Sequence, residues 1–147
     1  MKELDETTLA FIRDHPVARL ATADLDGRPS VVPICYAFDG WHVYSVIDHK
    51  PKGVGARALK RIRNIERNPH VSIVIDEYCD DWTRLRYVVI TGDAQISDPV
   101  GSQSAEHIKA IALLREKYSQ YAAMALEERL LIKITPTGIK RWAYSGW

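Results

Sequence analysis

The sequence predicts a mostly β fold: a small antiparallel β-barrel with flanking helices. Three observations carry that expectation. The elements read β-β-β-α-β-β-α-β, which is not the strand–helix alternation of a parallel sheet. The first three strands are joined by short turns, as in hairpins. Segment 84–96 is too long for an average strand and carries Gly92 inside it, as a strand that bends or bulges around a barrel would.

The elements follow in order. Asp5 is a helix N-cap, with Leu4 and Leu9 placed as a hydrophobic staple and Leu9 and Ile12 on one apolar stripe. His15-Pro16 ends that helix, because the residue before proline avoids the α region. The period then changes to two. Residues 17–23 form a strand, Asp24 to Gly27 a turn, and residues 30–38 a second strand. Asp39-Gly40 is a two-residue hairpin signal, and residues 41–47 return as the third strand. That turn sets Phe38 opposite Trp41, Tyr36 opposite Val43 and Ile34 opposite Ser45. Pro33 cannot donate a ladder hydrogen bond, so its strand lies at an edge or is bulged there.

A loop over 48–55 leads into a basic helix over 56–66, which stops at Asn68-Pro69. Residues 71–76 are nearly all apolar and are expected to be covered on both faces. An acidic loop, 77–82, precedes the long bent strand. Residues 102–126 are helical, with Ile108, Ile111, Leu114 and Tyr118 on one stripe. Residues 129–135 are the sixth strand, and Pro136 to Gly138 turn the chain into a short tail strand containing Trp142.

Composition sets the outer bounds. The chain has 147 residues, 46% hydrophobic, with a net charge of +1. This fits one domain over 1–147 with a proper core, and is too apolar for a disordered tail. Near-neutrality argues against a whole-molecule grip on nucleic acid. No apolar run reaches the length of a membrane span, and the acidic start is unlike a signal peptide, so a cytoplasmic protein is expected. Cys35 and Cys79, the two cysteines, read as small apolar fillers rather than a disulfide or zinc framework.

Residues 50–67 hold Lys50, Lys52, Arg57, Lys60, Arg61, Arg63 and Arg67 against one acid, Glu66. Such a run is often only a solvated face. Here it leads from a proline-stiffened loop into a helix N-terminus, where anions are favoured, so a phosphate or carboxylate cradle is expected. Aromatic residues are not interleaved with it, which weakens a nucleic-acid reading. Gly53-Val54-Gly55-Ala56-Arg57-Ala58 fits a dinucleotide-binding pattern, but five residues separate it from the preceding strand, and that strand belongs to an antiparallel hairpin. A loop entering a helix explains it better.

No hydrolytic, P-loop, zinc-protease or calcium-loop motif is present. The five histidines are scattered, Asp80-Asp81 reads as solvent-facing, and Trp82 and Tyr87 read as core or interface packing. No metal site is expected. An enzyme of this sequence would leave the chemistry to a cofactor.

ARLATADLDGRPSVVPICYAFDG, YSVIDHKPK, NIERNPHVSIVID and W-x-x-L-R-Y-V-x-x-x-G-x-A, in that order, resemble the pyridoxamine 5′-phosphate oxidase-like split-barrel flavoproteins over residues 5–143. The closest branch uses the 8-hydroxy-5-deazaflavin coenzyme, coenzyme F-420. The resemblance implies a six-stranded split β-barrel of the FMN-binding type and a homodimer with its cofactor in an interface groove. It also implies a small-molecule substrate, with neither nucleic acid nor membrane as partner. The family's flavin mononucleotide (FMN) oxidases present an Arg and a Lys from the second strand. Here Val32, Pro33 and Ile34 occupy that stretch without charge. By the same resemblance Tyr44 and Ser45 face the cofactor, Lys50 and Lys52 grip its phosphate, and Tyr87 is the polar residue of the bent strand. The coenzyme's oligoglutamate tail suits a basic segment that includes Arg57, Lys60 and Arg61. The implied activity is hydride transfer to a small unsaturated or conjugated substrate, with Tyr36, Tyr87 or water as proton donor. An FMN-binding oxidase-like protein and a non-enzymatic cofactor carrier or sensor are the alternatives.

Overall fold

The computed structural model describes residues 3–48, 55–99 and 104–147. Lys50 and Lys52, and with them the lysine–proline–lysine bend, lie outside the described residues.

Helix α1 is Glu6–Asp14, and the Asp5 carboxylate caps it by accepting from the Thr8 N–H at 2.8 Å. Strand β1 is Ala18–Ala23, β2 Pro29–Ile34, β3 Ala37–Phe38 and β4 Val43–Val46. A 3₁₀ turn at Ala56–Ala58 precedes α2, Lys60–Arg67, and β5 is His70–Glu77. Strand β6 is Arg86–Ser97, α3 is Ala105–Lys117, and β7 is Leu131–Ala143. All pairings are antiparallel, in the order β2-β1-β5-β6-β7-β4-β3.

That order dictates a curled sheet. β2 and β3 are its opposite edges, yet only Cys35 and Tyr36 separate them in the chain. Three Cα steps reach at most about 11 Å, so the edges must come together. The result is a mostly β, curled half-barrel with helices against it, which agrees with the expected class; seven strands replace the expected six.

Register separates the two faces. One row across the sheet reads Val32, Leu20, Ile73, Ile90 and Ile139, all apolar and directed inward. The next row reads Pro33, Arg19, Val74, Val89 and Lys140, directed outward. Fully burying one Leu or Ile contributes about 1.5–3 kcal/mol, so the inner rows dominate the fold's stability. β5 alternates accordingly. Val71, Ile73 and Ile75 are buried, while Ser72, Val74 and Asp76 are not, so within one chain the outer face of β5 lacks the expected cover. The doubly covered strand is β4, which gives Val43 to the barrel interior and Tyr44 and Val46 to a second core under α3.

Five further expectations change. The Asp39-Gly40 turn spans four residues rather than two, because Phe38 pairs with Val43 and Ala37 with Tyr44. The Asp39 carboxylate accepts from the Trp41 and His42 N–H groups and holds that wider turn. Residues 30–38 break into β2 and β3, so Ile34 pairs with Ala18 and not with Ser45. The segment after residue 135 does not turn into a tail strand. β7 runs straight through Thr137 as a bulge opposite Thr91 and Gly92. Gly92 is required there, since a Cβ would lie 2.5 Å from the Thr135 carbonyl oxygen. Ile108 is 54% exposed, and His107, Ala110, Ile111 and Leu114 form the buried stripe of α3 instead. Trp82, at 64%, is not core either.

The barrel closes at Tyr36. Its N–H donates to the Tyr118 hydroxyl at 2.9 Å, and that hydroxyl donates to the Pro16 carbonyl at 2.8 Å. Tyr118→Phe strands the buried Tyr36 N–H, and the expected loss is about 1–3 kcal/mol in urea unfolding. His107 is buried, and that burial holds its imidazole below the ordinary value. The unfolded chain therefore binds the extra proton first, and stability falls as pH drops below about 6.5. A His107→Gln variant should show a flatter stability profile between about pH 7 and pH 5.

Candidate functional site

Helix α2 is built to present charge. Ile62 and Ile65 are three apart and pack inward. Asn64 is also buried, donating from Nδ2 to the Thr22 hydroxyl at 3.0 Å, which pins α2 to β1. With those three inward, Lys60, Arg63 and Arg67 face outward and border a cleft of about 430 Å³, closed on the far side by Asp24. None of these three cations forms an ion pair among the described residues. Arg57 differs. Its guanidinium donates to Glu66 at 3.2 Å and Asp98 at 2.9 Å, tying the 3₁₀ turn to α2 and the end of β6.

Arg61 was part of the basic segment in the sequence, but its distinction from its neighbours is structural. It is half-buried, and burial lowers its pKa against the opposing pull of Asp48. Its Nε is buried without a hydrogen-bond partner among the described residues. Asp48, which follows β4, also accepts from the Tyr121 hydroxyl at 2.6 Å. A buried guanidinium nitrogen lacking an acceptor fits a site that receives an anion. The three-residue spacing of Ile62 and Ile65 accounts for their inward placement; the sideways burial of Arg61 depends on contacts that periodicity does not encode.

The remaining expected residues fall in four other places. At the closure, Ile34 is buried, and the Ser45 hydroxyl donates to the Cys35 carbonyl at 2.8 Å. They are near neighbours through Cys35, although not ladder partners. Tyr44 points the opposite way from Ser45. It is buried under α3 and donates to Glu106 at 3.3 Å, and Glu106 in turn meets Lys133 at 2.8 Å. Burial raises the Tyr44 phenol well above its ordinary value. On the outer sheet face, Pro33 is exposed on the edge strand β2, as its missing N–H requires. Tyr87 lies on the same face, stacked on Trp142 at 5.6 Å, beside a shallow groove lined by Arg19, Val74, Asp76 and Val89. Val32 faces inward against the core.

Of the two candidate tyrosine donors, Tyr36 is engaged. It is fully buried, its hydroxyl donates to the Ile12 carbonyl at 2.5 Å, and burial raises its pKa far above the ordinary phenol. Tyr87 is 39% exposed. Among the described residues no cluster of side chains suits a metal ion, and no helix is long and apolar enough to cross a membrane.

A curled antiparallel sheet closed on itself, with a cationic helix over one side and a half-buried arginine beside it, defines a split-barrel protein with a cationic edge. The family model described as pyridoxamine 5′-phosphate oxidase matches residues 4–143, and the chain belongs to that family. Solved structures share the fold. HutZ, the heme storage protein from Vibrio cholerae, is 20% identical with a TM-score of 0.71, covering 97% of this chain and 95% of its own. A FAD-binding protein from Mesorhizobium loti is 23% identical with a TM-score of 0.67, covering 94% and 92%. An F-420 reductase is 24% identical with a TM-score of 0.64, covering 93% and 98%.

Proposed function

We propose that this protein is a coenzyme F-420-dependent oxidoreductase that transfers hydride to a small unsaturated or conjugated substrate. The observation that carries the reading is the division of charge. The barrel-wall stretch Val31 to Tyr36 has no charged side chain, while α2 presents three cations without ion pairs among the described residues and the half-buried Arg61. A coenzyme with one phosphate and a tail of carboxylates matches that division better than one with a single phosphate. The F-420 reductase among the structures of this fold supports the same choice.

When bound, the reduced coenzyme supplies hydride from carbon 5 of its ring. Arg61 would hold the phosphate, and Lys60, Arg63 and Arg67 the carboxylates of the tail. The uncharged wall would exclude water and keep the ring and substrate in contact, a role that needs positioning rather than a nucleophile. Tyr87 is the remaining side-chain proton donor, and water is the other source.

Fluorescence polarisation with purified protein tests this reading. F-420 is expected to bind at least about tenfold more tightly than FMN, with an affinity that falls as salt rises. Equal affinities, or a preference for FMN, would overturn it. The double variant Lys60→Glu/Arg63→Glu should weaken F-420 at least about tenfold (~1.4 kcal/mol) and FMN much less. Arg61→Gln should weaken both. Turnover of an unsaturated acceptor by reduced F-420 separates an enzyme from a carrier.

The second part of the proposal is a homodimer through the outer sheet face. Val31, Pro33, Val74, Val89, Tyr87 and Trp142 leave that face largely apolar, and Arg19 pairs with Asp76 at 2.6 Å near its middle. Such a face suits a self-complementary, two-fold contact, and it would put Tyr87 beside a partner. Sedimentation equilibrium should give twice the 16.7 kDa of the chain. Val74→Asp/Val89→Asp should give the single-chain mass, and a wild-type monomer at micromolar concentration contradicts the proposal.

A further inference from the structure

A second cavity, of about 510 Å³, opens between α1, β3 and α3 and shares no lining residue with the cleft on α2. One wall is an open edge of the sheet, since β3 pairs only with β4. The alternation of an antiparallel ladder fixes which main-chain groups face that edge. The Asp39 N–H donates to the His42 carbonyl at 3.2 Å, so Phe38 and Val43, the next pair along, are not hydrogen-bonded to each other. The far side of β4 agrees. There the Ile47 N–H donates to the Leu130 carbonyl at 2.9 Å, and the same alternation turns the main chain of Ser45 and Val43 towards β7. The N–H and C=O of Phe38 therefore point away from β4, out of the edge. Its side chain packs in the barrel interior, so the cavity wall at Phe38 is main chain. Those two groups meet no partner among the described turns, loops and side chains. Main-chain groups of a residue only 5% exposed ordinarily have one.

Helix α3 lies along this edge in the opposite direction. Its last residue, Lys117, places Nζ 3.6 Å from the centroid of the Tyr36 ring, just before β3 begins. Lys109, two turns earlier, bears on Asp39, just after β3 ends. Lys109, Leu113 and Glu116 all line the cavity, and their spacing of four and three puts them on one helix face. They order that wall as cation, apolar, carboxylate, with about 10 Å of helix axis between the first and the last. Asp14, the last residue of α1, joins the carboxylate end, for its charge bears on both Tyr36 and Lys117. Both carboxylates stand in the last turn of a helix, where the dipole favours a cation. Arg13 lines the α1 wall beside Asp14. Arg13, Asp14, Lys109 and Glu116 form no ion pair among the described residues. The remaining charges are engaged, Asp39 by the Trp41 and His42 N–H groups and the Lys117 ammonium by the Tyr36 ring.

We propose that this cavity binds a short zwitterionic peptide, three residues long, laid parallel to β3. Three extended residues span about 10 Å, which matches the separation of Lys109 and Glu116 along α3. The peptide's ammonium meets Glu116 and Asp14, and its carboxylate meets Lys109. That polarity runs the peptide along β3 rather than against it. In a parallel pairing one residue bonds to the two residues that flank its opposite number. The Phe38 N–H thus donates to the carbonyl of the peptide's first residue, and the N–H of the third donates to the Phe38 carbonyl. The site is independent of the coenzyme proposal, and neither stands or falls with the other.

Titration of the intact, isotope-labelled protein with trialanine, followed by amide NMR, tests it. Trialanine should bind saturably at millimolar concentration and move the Phe38 amide proton downfield, as a new hydrogen bond does. Acetylating its amine or amidating its carboxylate should each weaken binding at least about threefold. Asp14→Asn/Glu116→Gln should erase the difference between free and acetylated peptide and keep that between free and amidated. Lys109→Gln should do the reverse. All three side chains are exposed, so both variants should keep the wild-type unfolding midpoint. An unmoved Phe38 amide, equal binding of free and blocked peptides, or alanine binding as tightly as trialanine overturns the proposal. So does an exchange of effects between the two variants, which would run the peptide against β3.

Discussion

The fold depends on closing one sheet upon itself at Cys35 and Tyr36. A seven-stranded sheet with β2 and β3 as its edges leaves the backbone between them outside any ladder, and buried backbone groups must find other partners. Side chains from distant elements supply them. The Ser45 hydroxyl takes the Cys35 carbonyl, and the Tyr118 hydroxyl takes the Tyr36 N–H while holding Pro16. The Tyr36 hydroxyl in turn reaches the Ile12 carbonyl. A single junction thus joins α1, both edge strands and the end of α3. Everything placed relative to the barrel wall, including α2 and its cations, inherits its position from that closure.

The junction also explains what could be read from the sequence and what could not. β1 was legible from the change to period two, β5 from a nearly continuous apolar run and β6 from its length with Gly92 inside, because each of these signals is local. Asp5 was legible as a cap, and His15-Pro16 as a stop, since both act within a few residues. Pro33 as an edge residue was legible because a missing N–H is a property of one residue. The turn at Asp39 was misjudged because a two-residue hairpin and a four-residue loop share Asp-Gly. The choice went to the Asp39 side chain, which captures two N–H groups. The break after Ile34 was invisible, since Cys35 and Tyr36 look like strand residues and leave the ladder only because the sheet has to close.

The same division holds for the site. Sequence identified a basic segment, and α2 does present cations to a cleft. It did not distinguish Arg57, engaged by two carboxylates, from Arg61, whose Nε is buried without a partner among the described residues. Both are arginines four residues apart; their difference comes from Glu66, Asp98 and Asp48, which three separate elements bring near. Tyr44 and Ser45 were adjacent candidates, but adjacency on a strand places them on opposite faces. One joins the closure and the other joins the polar group under α3.

Charge placement follows from the same architecture. A barrel with an apolar interior cannot hold an unpaired cation on its inner wall, because desolvation would outweigh any local benefit. Cations that serve an anionic ligand must therefore sit on a helix at the rim, where the guanidinium or ammonium keeps contact with water until the ligand arrives. Lys60, Arg63 and Arg67 face outward on α2, and Arg61 marks the limit, half out of water with the Asp48 carboxylate nearby. Lys117 goes further, being buried against Tyr36 and Tyr118, and its lowered pKa follows from that position. The gradient from Lys60 through Arg61 to Lys117 is one of increasing desolvation. Along it the setting of a basic side chain changes from water, to a half-buried position beside a carboxylate, to a cation held against aromatic faces.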